Sequence, residues 1–311
     1  MKKRSLITKL ALSGVALAAT AATLATSTYA WYTSNTEVSA TGMSGTAAST
    51  GDASVLISAD NVDWSQSVDV ATSSDSLAPL QVTAAGSFVD LDGAATENYL
   101  KVTLYVKTTA TGGANTVPLY LNNLTITNKV STAGTGVANY LKGAKNSEGE
   151  ALSQAECGGV DPSKSTYWVD AVQAVWMNFT STSVSNANVN QYDLAACEGT
   201  QVTSTNVTTP NALTYLNAVQ GTNYTKGKKG KDTGSQSDLA IATEKKLGAT
   251  GSELVVANLA ADGTATTLEF YFFLNGWDEY CFDACKGQSF DVTLSFTTDK
   301  ALVTRKVVAT E

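Results

Sequence analysis

The sequence predicts an all-β protein built as an antiparallel β-sandwich, and three segments carry most of this prediction. In each segment, hydrophobic residues alternate with mostly polar ones, which is typical of a strand with one face in the core and one in solvent. The three segments span residues 100–106, 268–274 and 290–296. Strands do not alternate with helices along the chain, which argues against a parallel α/β sheet.

Seven further segments have a weaker strand pattern. They span residues 54–59, 66–70, 80–83, 117–127, 169–179, 254–259 and 302–308. Gly, Asn, Asp and Ser separate these segments, and such residues form the turns between short strands. Together with the three stronger segments, this arrangement favours two packed antiparallel sheets.

The pattern loosens in the middle of the chain, at about residues 128–251. The clearest helical segment there covers residues 211–219, where Thr208 or Thr209 suits the N-cap and Pro210 the first turn. We therefore expect one sandwich domain over residues 31–311 that carries a loop and short-helix insertion. The lysine-rich run at residues 226–231 indicates a solvated loop or, alternatively, an anion-binding patch.

The first thirty residues predict an export signal. Four basic residues precede an apolar run at residues 10–25, and the small residues Thr28 and Ala30 predict cleavage before Trp31. The apolar run contains polar interruptions and is shorter than the roughly 20 apolar residues of a spanning helix. An uncleaved membrane anchor is the alternative. We expect a secreted or cell-surface protein whose only membrane contact is through the uncleaved signal.

The mature chain is strongly acidic. Cleavage after residue 30 removes four of the 20 basic residues and none of the 28 acidic ones, which leaves a net charge of −12. This charge repels nucleic acid and anionic lipid, so we expect neither as a partner. The hydrophobic content of 43% is ordinary for a folded domain.

The sequence contains no histidine. Ser-His-Asp triads, Cys-His pairs and histidine-based zinc sites all require an imidazole. With no other catalytic motif present, we expect a protein that is not an enzyme and has no catalytic residues, metal or cofactor. Acidic turns at residues 90–97 and 278–283 offer oxygen ligands for Ca²⁺, but their spacing does not match an EF-hand loop.

Four cysteines in an exported chain predict two disulfides. The candidates are Cys157, Cys197, Cys281 and Cys285, and we favour the pairs 157–197 and 281–285. Four reduced thiols are the main alternative, and a zinc site of four thiolates is a more distant one.

The residues around the cleavage site resemble those of a known family. The predicted mature start reads Trp31, Tyr32, Thr33, Ser34 and Asn35. An aromatic pair directly after the small-residue site resembles the TasA/camelysin family of Gram-positive secreted proteins. A second similarity is the order of a strand at residues 272–274, Gly-Trp-Asp at 276–278, Cys281 and a final strand at 290–296.

The resemblance implies processing by a signal peptidase of the SipW type and a jelly-roll-like β-sandwich. Characterised members of this family form extracellular matrix fibres. The resemblance therefore implies a structural protein of the surface or biofilm matrix of a Gram-positive-type bacterium. The peptidase activity attributed to camelysin has no support in these residues.

The mature N-terminus predicts a route of assembly. Trp31, Thr33 and Asn35 lie on one side of an extended segment, and Tyr32 and Ser34 on the other. Such a strand could add to the open sheet edge of another copy and build a fibre. An ordinary first strand or a frayed end is the alternative.

We expect the chain to associate with itself or with a matrix companion protein, besides contacting signal peptidase during export. A second hypothesis is a secreted adhesin or glycan-binding module that uses Trp64 and Trp168 as aromatic platforms.

Overall fold

The computed structural model describes residues 39–48, 55–70, 77–109, 116–129, 145–146, 148–157, 161, 163, 170–185, 187–198, 212–231, 234–281 and 288–308. These residues form a β-sandwich in which a five-stranded sheet packs against a ten-stranded sheet. The predicted all-β sandwich is thereby confirmed. The predicted signal peptide, residues 1–30, lies outside the described residues.

The small sheet combines the first described strand with strands from the second half of the chain. Its members are β1 (Ser39–Ala48), β3 (Ser67–Val70), β7 (Thr116–Asn128), β14 (Val255–Ala260) and β16 (Ser289–Thr297). Their spatial order is β14-β7-β16-β1-β3, so β14 and β3 are the edges.

The large sheet is centred on β15, which pairs with the long strands β8 and β6, and its other strands are short. Its members are β2 (Val55–Ser58), β4 (Pro79–Val82), β5 (Phe88–Val89), β6 (Leu100–Thr108), β8 (Val175–Ser181), β9 (Asn190–Asp193), β12 (Thr243–Gly248), β13 (Ser252–Glu253), β15 (Thr266–Asn275) and β17 (Lys306–Val307). The main order is β13-β17-β12-β9-β8-β15-β4-β5, and β6 pairs with β15 and with β2.

The three strongest alternating segments form core strands. They correspond to β6, β15 and β16, whose hydrophobic residues are buried while most of the intervening residues retain solvent contact. Phe270 of β15 joins the two layers, because its ring centroid lies 5.9 Å from that of Phe179 in the same sheet and 5.9 Å from that of Phe296 in the small sheet. All three rings are essentially inaccessible to solvent.

Among the named strands, three pairs are parallel, whereas the sequence predicted an antiparallel sandwich. They are β1 with β16, β9 with β12, and β4 with β15. The two strands of each pair are far apart in the chain, so no hairpin forces them to run in opposite directions. The remaining pairs between named strands are antiparallel.

The segment predicted as an insertion supplies part of the large sheet. It contributes β8, β9 and β12, and β8 pairs directly with the central strand β15. The predicted helix is present as α1 (Ala212–Gln220), and its buried residues Ala212, Tyr215 and Leu216 recur at helical spacing. Among the described residues, no helix has the length and apolar character needed to cross a bilayer.

Two lysines of the lysine-rich run form ion pairs, and part of the run is a strand. Within it, β10 (Lys228–Lys229) pairs with β11 (Ser237–Asp238) in a small hairpin. Lys228 donates to Asp238 at 2.8 Å, and Lys226 donates to Glu244 at 2.6 Å. Part of the run is therefore a paired strand rather than the simple solvated loop that the sequence suggested.

Candidate functional site

The sheet edge beside β1 is the first candidate for an assembly site. On one side, β1 pairs with β16 from Ser39 opposite Ser289 to Ala48 opposite Thr297, with one bulge at Thr41. On the other side it pairs with β3 through four residues only, 43–46. Within the described part of the chain, the two ends of β1 therefore have a strand neighbour on one side and an open edge on the other.

A glycine allows β1 to approach the core closely. Gly45 is buried, and a Cβ atom added to it would lie 3.0 Å from Ile57 Cδ1, 3.7 Å from Val68 Cγ1 and 3.8 Å from Leu104 Cδ1. The first of these distances is tighter than ordinary van der Waals contact. The strand therefore lies against the core at a spacing that a larger side chain would disturb.

We expect Gly45→Val to lower the free energy of unfolding by about 1–3 kcal/mol, because the added methyl groups would overpack the site beside Ile57. Urea denaturation measures this change. Gly234 provides the matched control, since an added Cβ there meets no atom within 4 Å and its backbone is not left-handed. Equal losses in Gly45→Val and Gly234→Val would contradict close packing of β1 against the core.

The opposite edge of the small sheet is covered by side-chain contacts. At β14, Ser183 Oγ accepts from the Asn258 backbone N–H at 2.9 Å, and Asn258 Nδ2 donates to the Ser183 carbonyl at 3.3 Å. Thr108 Oγ1 also donates to the Ala260 carbonyl at 3.1 Å. Since these contacts occupy backbone groups of β14, the β1 and β3 side is the better candidate for strand addition.

The residues predicted for cleavage and assembly immediately precede this edge in the chain. Thr28 and Ala30 of the cleavage site, and the proposed assembly strand from Trp31 to Asn35, lie outside the described residues. The structure describes the chain from Ser39 onward, where β1 begins.

Two of the predicted disulfide cysteines are separate thiols. Cys157 and Cys197 are both fully buried and are not bonded to each other, so the favoured 157–197 disulfide is absent from the structure. Burial raises the pKa of each thiol to about 11, which leaves little thiolate at neutral pH. Both side chains pack in the apolar core as small hydrophobic groups. Cys281 is also buried, and Cys285 lies outside the described residues, so the 281–285 pair stays a prediction.

The described tryptophans offer little free aromatic surface. Lys107 Nζ lies 3.8 Å from the centroid of the Trp64 ring and covers one of its faces. Trp176 and Trp277 are buried. The Trp176 indole N–H donates to Asp278 Oδ2 at 2.8 Å, and the Trp277 indole N–H donates to Gln81 Oε1 at 2.5 Å. Trp168 lies outside the described residues.

Asp278 is a carboxyl group that titrates near neutrality. Its Oδ2 accepts from Trp176, and its Oδ1 accepts from the Tyr280 backbone N–H at 2.8 Å. Burial raises its pKa from 3.8 to about 7, and the nearby carboxylates of Asp193 and Glu279 act in the same direction. The two hydrogen bonds oppose this shift but do not cancel it. Asp278 can therefore hold a proton at mildly acidic pH.

The predicted acidic turn at residues 90–97 uses its carboxylates within the fold. Asp90 Oδ1 accepts from the Ala94 backbone N–H at 2.8 Å, and Asp92 Oδ1 accepts from the Tyr224 hydroxyl at 3.0 Å. In the part of the chain that the structure describes, no three Cys, Asp or Glu side chains form a group suited to a metal ion. Asp283 of the second acidic turn lies outside that part.

Comparison of the chain with protein-family models, with curated proteins and with solved structures found no match.

Proposed function

We propose that this protein is a secreted, non-enzymatic structural protein of the bacterial surface or biofilm matrix, and that it assembles into fibres through its mature N-terminal strand. The observation that carries the proposal is the position of β1. This ten-residue strand follows the predicted cleavage site closely; among the described residues, nine of its positions are paired on one side and four on the other.

The proposed contact is addition of a strand. Residues 31–38 of one copy pair with the open edge beside β3 of the next copy, where backbone donors and acceptors supply the affinity. Such a contact joins two different surfaces, so each added copy presents a new edge and the assembly does not close. The covered edge at β14 favours growth from one side of the sheet only.

The export signal and the resemblance to the TasA/camelysin family support the same function. A chain without histidine is poorly suited to the peptidase chemistry that the camelysin name suggests. The low charge content of 15% and the many hydroxyl and amide residues suit a protein that packs against copies of itself outside the cell. Coverage of the Trp64 ring by Lys107 makes the adhesin hypothesis the weaker one.

Electron microscopy of the processed protein tests the proposal. We expect filaments from the chain that begins at Trp31, and none after deletion of residues 31–38, which stops before β1 begins. Circular dichroism should show the same β content and a similar melting temperature for both proteins. Filaments that persist after the deletion would refute assembly through this strand.

The position of an affinity tag provides the matched control. A tag before Trp31 should block the assembly strand, whereas the same tag after Glu311 should leave filaments intact. Loss of filaments with both tags would indicate a general effect of the tag. Failure of the processed protein to form filaments, alone or with matrix extract, would refute the fibre function itself.

A further inference from the structure

Three polar residues lie side by side across the large sheet. Gln191 of β9 is the register partner of Glu244 in β12. Asn178 of β8 follows Met177, which pairs with Tyr192 of β9, and its Nδ2 donates to the Asn190 carbonyl, directly beside Gln191 in the chain. We call Asn178, Gln191 and Glu244 the oxygen row.

All three side chains lie on the face of the large sheet that points away from the small sheet. Their sequence neighbours Met177, Phe179 and Tyr192 belong to the main core, and successive residues of a strand point to opposite faces. Leu247 of β12 belongs to the same core, which places Glu244 on the outer face by the same alternation. The oxygen row is therefore separated from the β1 edge by the thickness of the sheet.

Each member of the oxygen row has a buried oxygen atom without a hydrogen-bond partner. The atoms are Asn178 Oδ1, Gln191 Oε1 and Glu244 Oε1. Asn178 and Gln191 are fully buried, at 0% and 1% exposure. Leaving a buried acceptor atom unpaired costs about 1–3 kcal/mol of folding free energy. Three unpaired acceptors on neighbouring strands would therefore destabilise this part of the sheet unless something binds them.

The orientation of both amides is fixed by backbone carbonyls. Asn178 Nδ2 donates to the carbonyls of Asn188 and Asn190 at 2.8 and 2.6 Å, and Gln191 Nε2 donates to the carbonyl of Ala242 at 3.3 Å. Rotating either amide by 180° would place its oxygen against a carbonyl oxygen, which is unfavourable. Both unpaired amide atoms are therefore oxygens that require a donor or a cation.

A cation satisfies this arrangement better than a single water molecule. One water has two protons and cannot donate to three acceptors, whereas Ca²⁺ takes carboxylate and amide oxygens together and completes its shell with water. We propose that the oxygen row binds a hard cation of the Ca²⁺ type, with Glu244 as its charged ligand and Asn178 and Gln191 as neutral ones.

The charge near the row predicts a weak site. Glu244 Oε2 accepts from Lys226 Nζ at 2.6 Å, so this lysine offsets much of the carboxylate charge. We expect a dissociation constant of about 10⁻⁴–10⁻³ M, the range of extracellular calcium modules. The site would be filled outside the cell and largely empty at the lower Ca²⁺ concentrations of a cytoplasm.

Two measurements on the full-length protein test the proposal: calorimetric titration with Ca²⁺, and luminescence of Tb³⁺, which substitutes for Ca²⁺. Both are made at about 0.15 M salt, because salt screens weak binding of cations to surface carboxylates. Tyr271 is the register partner of Asn178, so it is placed to sensitise Tb³⁺ bound at the row. We expect one site, and about a tenfold or greater loss of affinity in Glu244→Gln.

Glu269→Gln is the matched control. Glu269 lies on the same face of the sheet, accepts from Tyr271 at 2.7 Å and is ion-paired with Lys101, but it is not part of the row. Its replacement should leave Ca²⁺ affinity unchanged.

Lys226→Gln gives a test that misfolding cannot imitate. Removal of this charge should raise the affinity by about threefold or more, since it releases Glu244 Oε2 and removes a repelling cation. Absence of binding by the unmodified protein, as expected if water molecules alone fill the row, would overturn the proposal. Equal affinities in Glu244→Gln and Glu269→Gln would overturn it as well.

Discussion

Phe270→Ala is expected to lower the free energy of unfolding by about 3–5 kcal/mol. The Phe270 ring is fully buried and contacts Phe179 in its own sheet and Phe296 in the facing sheet. Truncation would leave a cavity between the two layers, and rigid strands on both sides limit the collapse of neighbouring side chains into it. Equilibrium urea denaturation measures the loss.

Two further variants keep this prediction testable if Phe270→Ala does not fold. Phe270→Leu should cause a smaller loss of stability, because it retains most of the buried apolar volume. Val62→Ala is the surface control: Val62 is 74% exposed, so its truncation should change stability by less than about 0.5 kcal/mol. A loss in Phe270→Ala no greater than in Val62→Ala would contradict the packing of the two sheets through this ring.

The second large effect concerns pH and Asp278. The folded state raises the pKa of this carboxyl to about 7 from an ordinary value of 3.8. Between these two values the folded chain retains a proton that the unfolded chain has released. The contribution of Asp278 to the free energy of unfolding therefore falls as pH rises through this window, by about 2–4 kcal/mol.

Asp278→Asn isolates this contribution, because the amide cannot ionise. Relative to the unmodified protein, the variant should become progressively more stable as pH rises from 5 to about 7 and then change little, although it loses one hydrogen-bond acceptor at every pH. Urea titrations of both proteins at several pH values measure the difference. A pH-independent difference between the unmodified protein and Asp278→Asn would refute the raised pKa.

The alternation of hydrophobic and polar residues predicted the strands that bury one face. It could not predict strands whose sequences do not alternate. The segments at β6, β15 and β16 have large hydrophobic residues at every second position, so their faces are evident from the sequence. By contrast, β1 consists of Ser, Ala, Thr, Gly and Met, and its buried Gly45 offers no hydrophobic signal. Its place is determined by close backbone packing, which a residue pattern does not report.

The polar sites depend on strand register, which the sequence did not provide. The strands β9 and β12 read Asn-Gln-Tyr-Asp and Thr-Glu-Lys-Lys-Leu-Gly, and neither segment has a clear hydrophobic face. Their pairing brings Gln191 beside Glu244, although these residues are 53 positions apart in the chain. Likewise, Trp176 and Asp278 meet across 102 positions. A disulfide between Cys157 and Cys197 was predicted from their number and spacing, but spacing does not determine whether two thiols meet.

The parallel pairing of β1 with β16 also limits when the small sheet can form during synthesis of the chain. The partner of the first described strand is the last long strand, so β1 cannot reach its final place until residues 289–297 have been synthesised and, on an exported chain, translocated. Strands that lie close together in the chain, such as β8 and β9, can pair before this happens. On a chain that is exported as proposed, the N-terminal strand is therefore undocked for an interval whose duration depends on the rate of secretion.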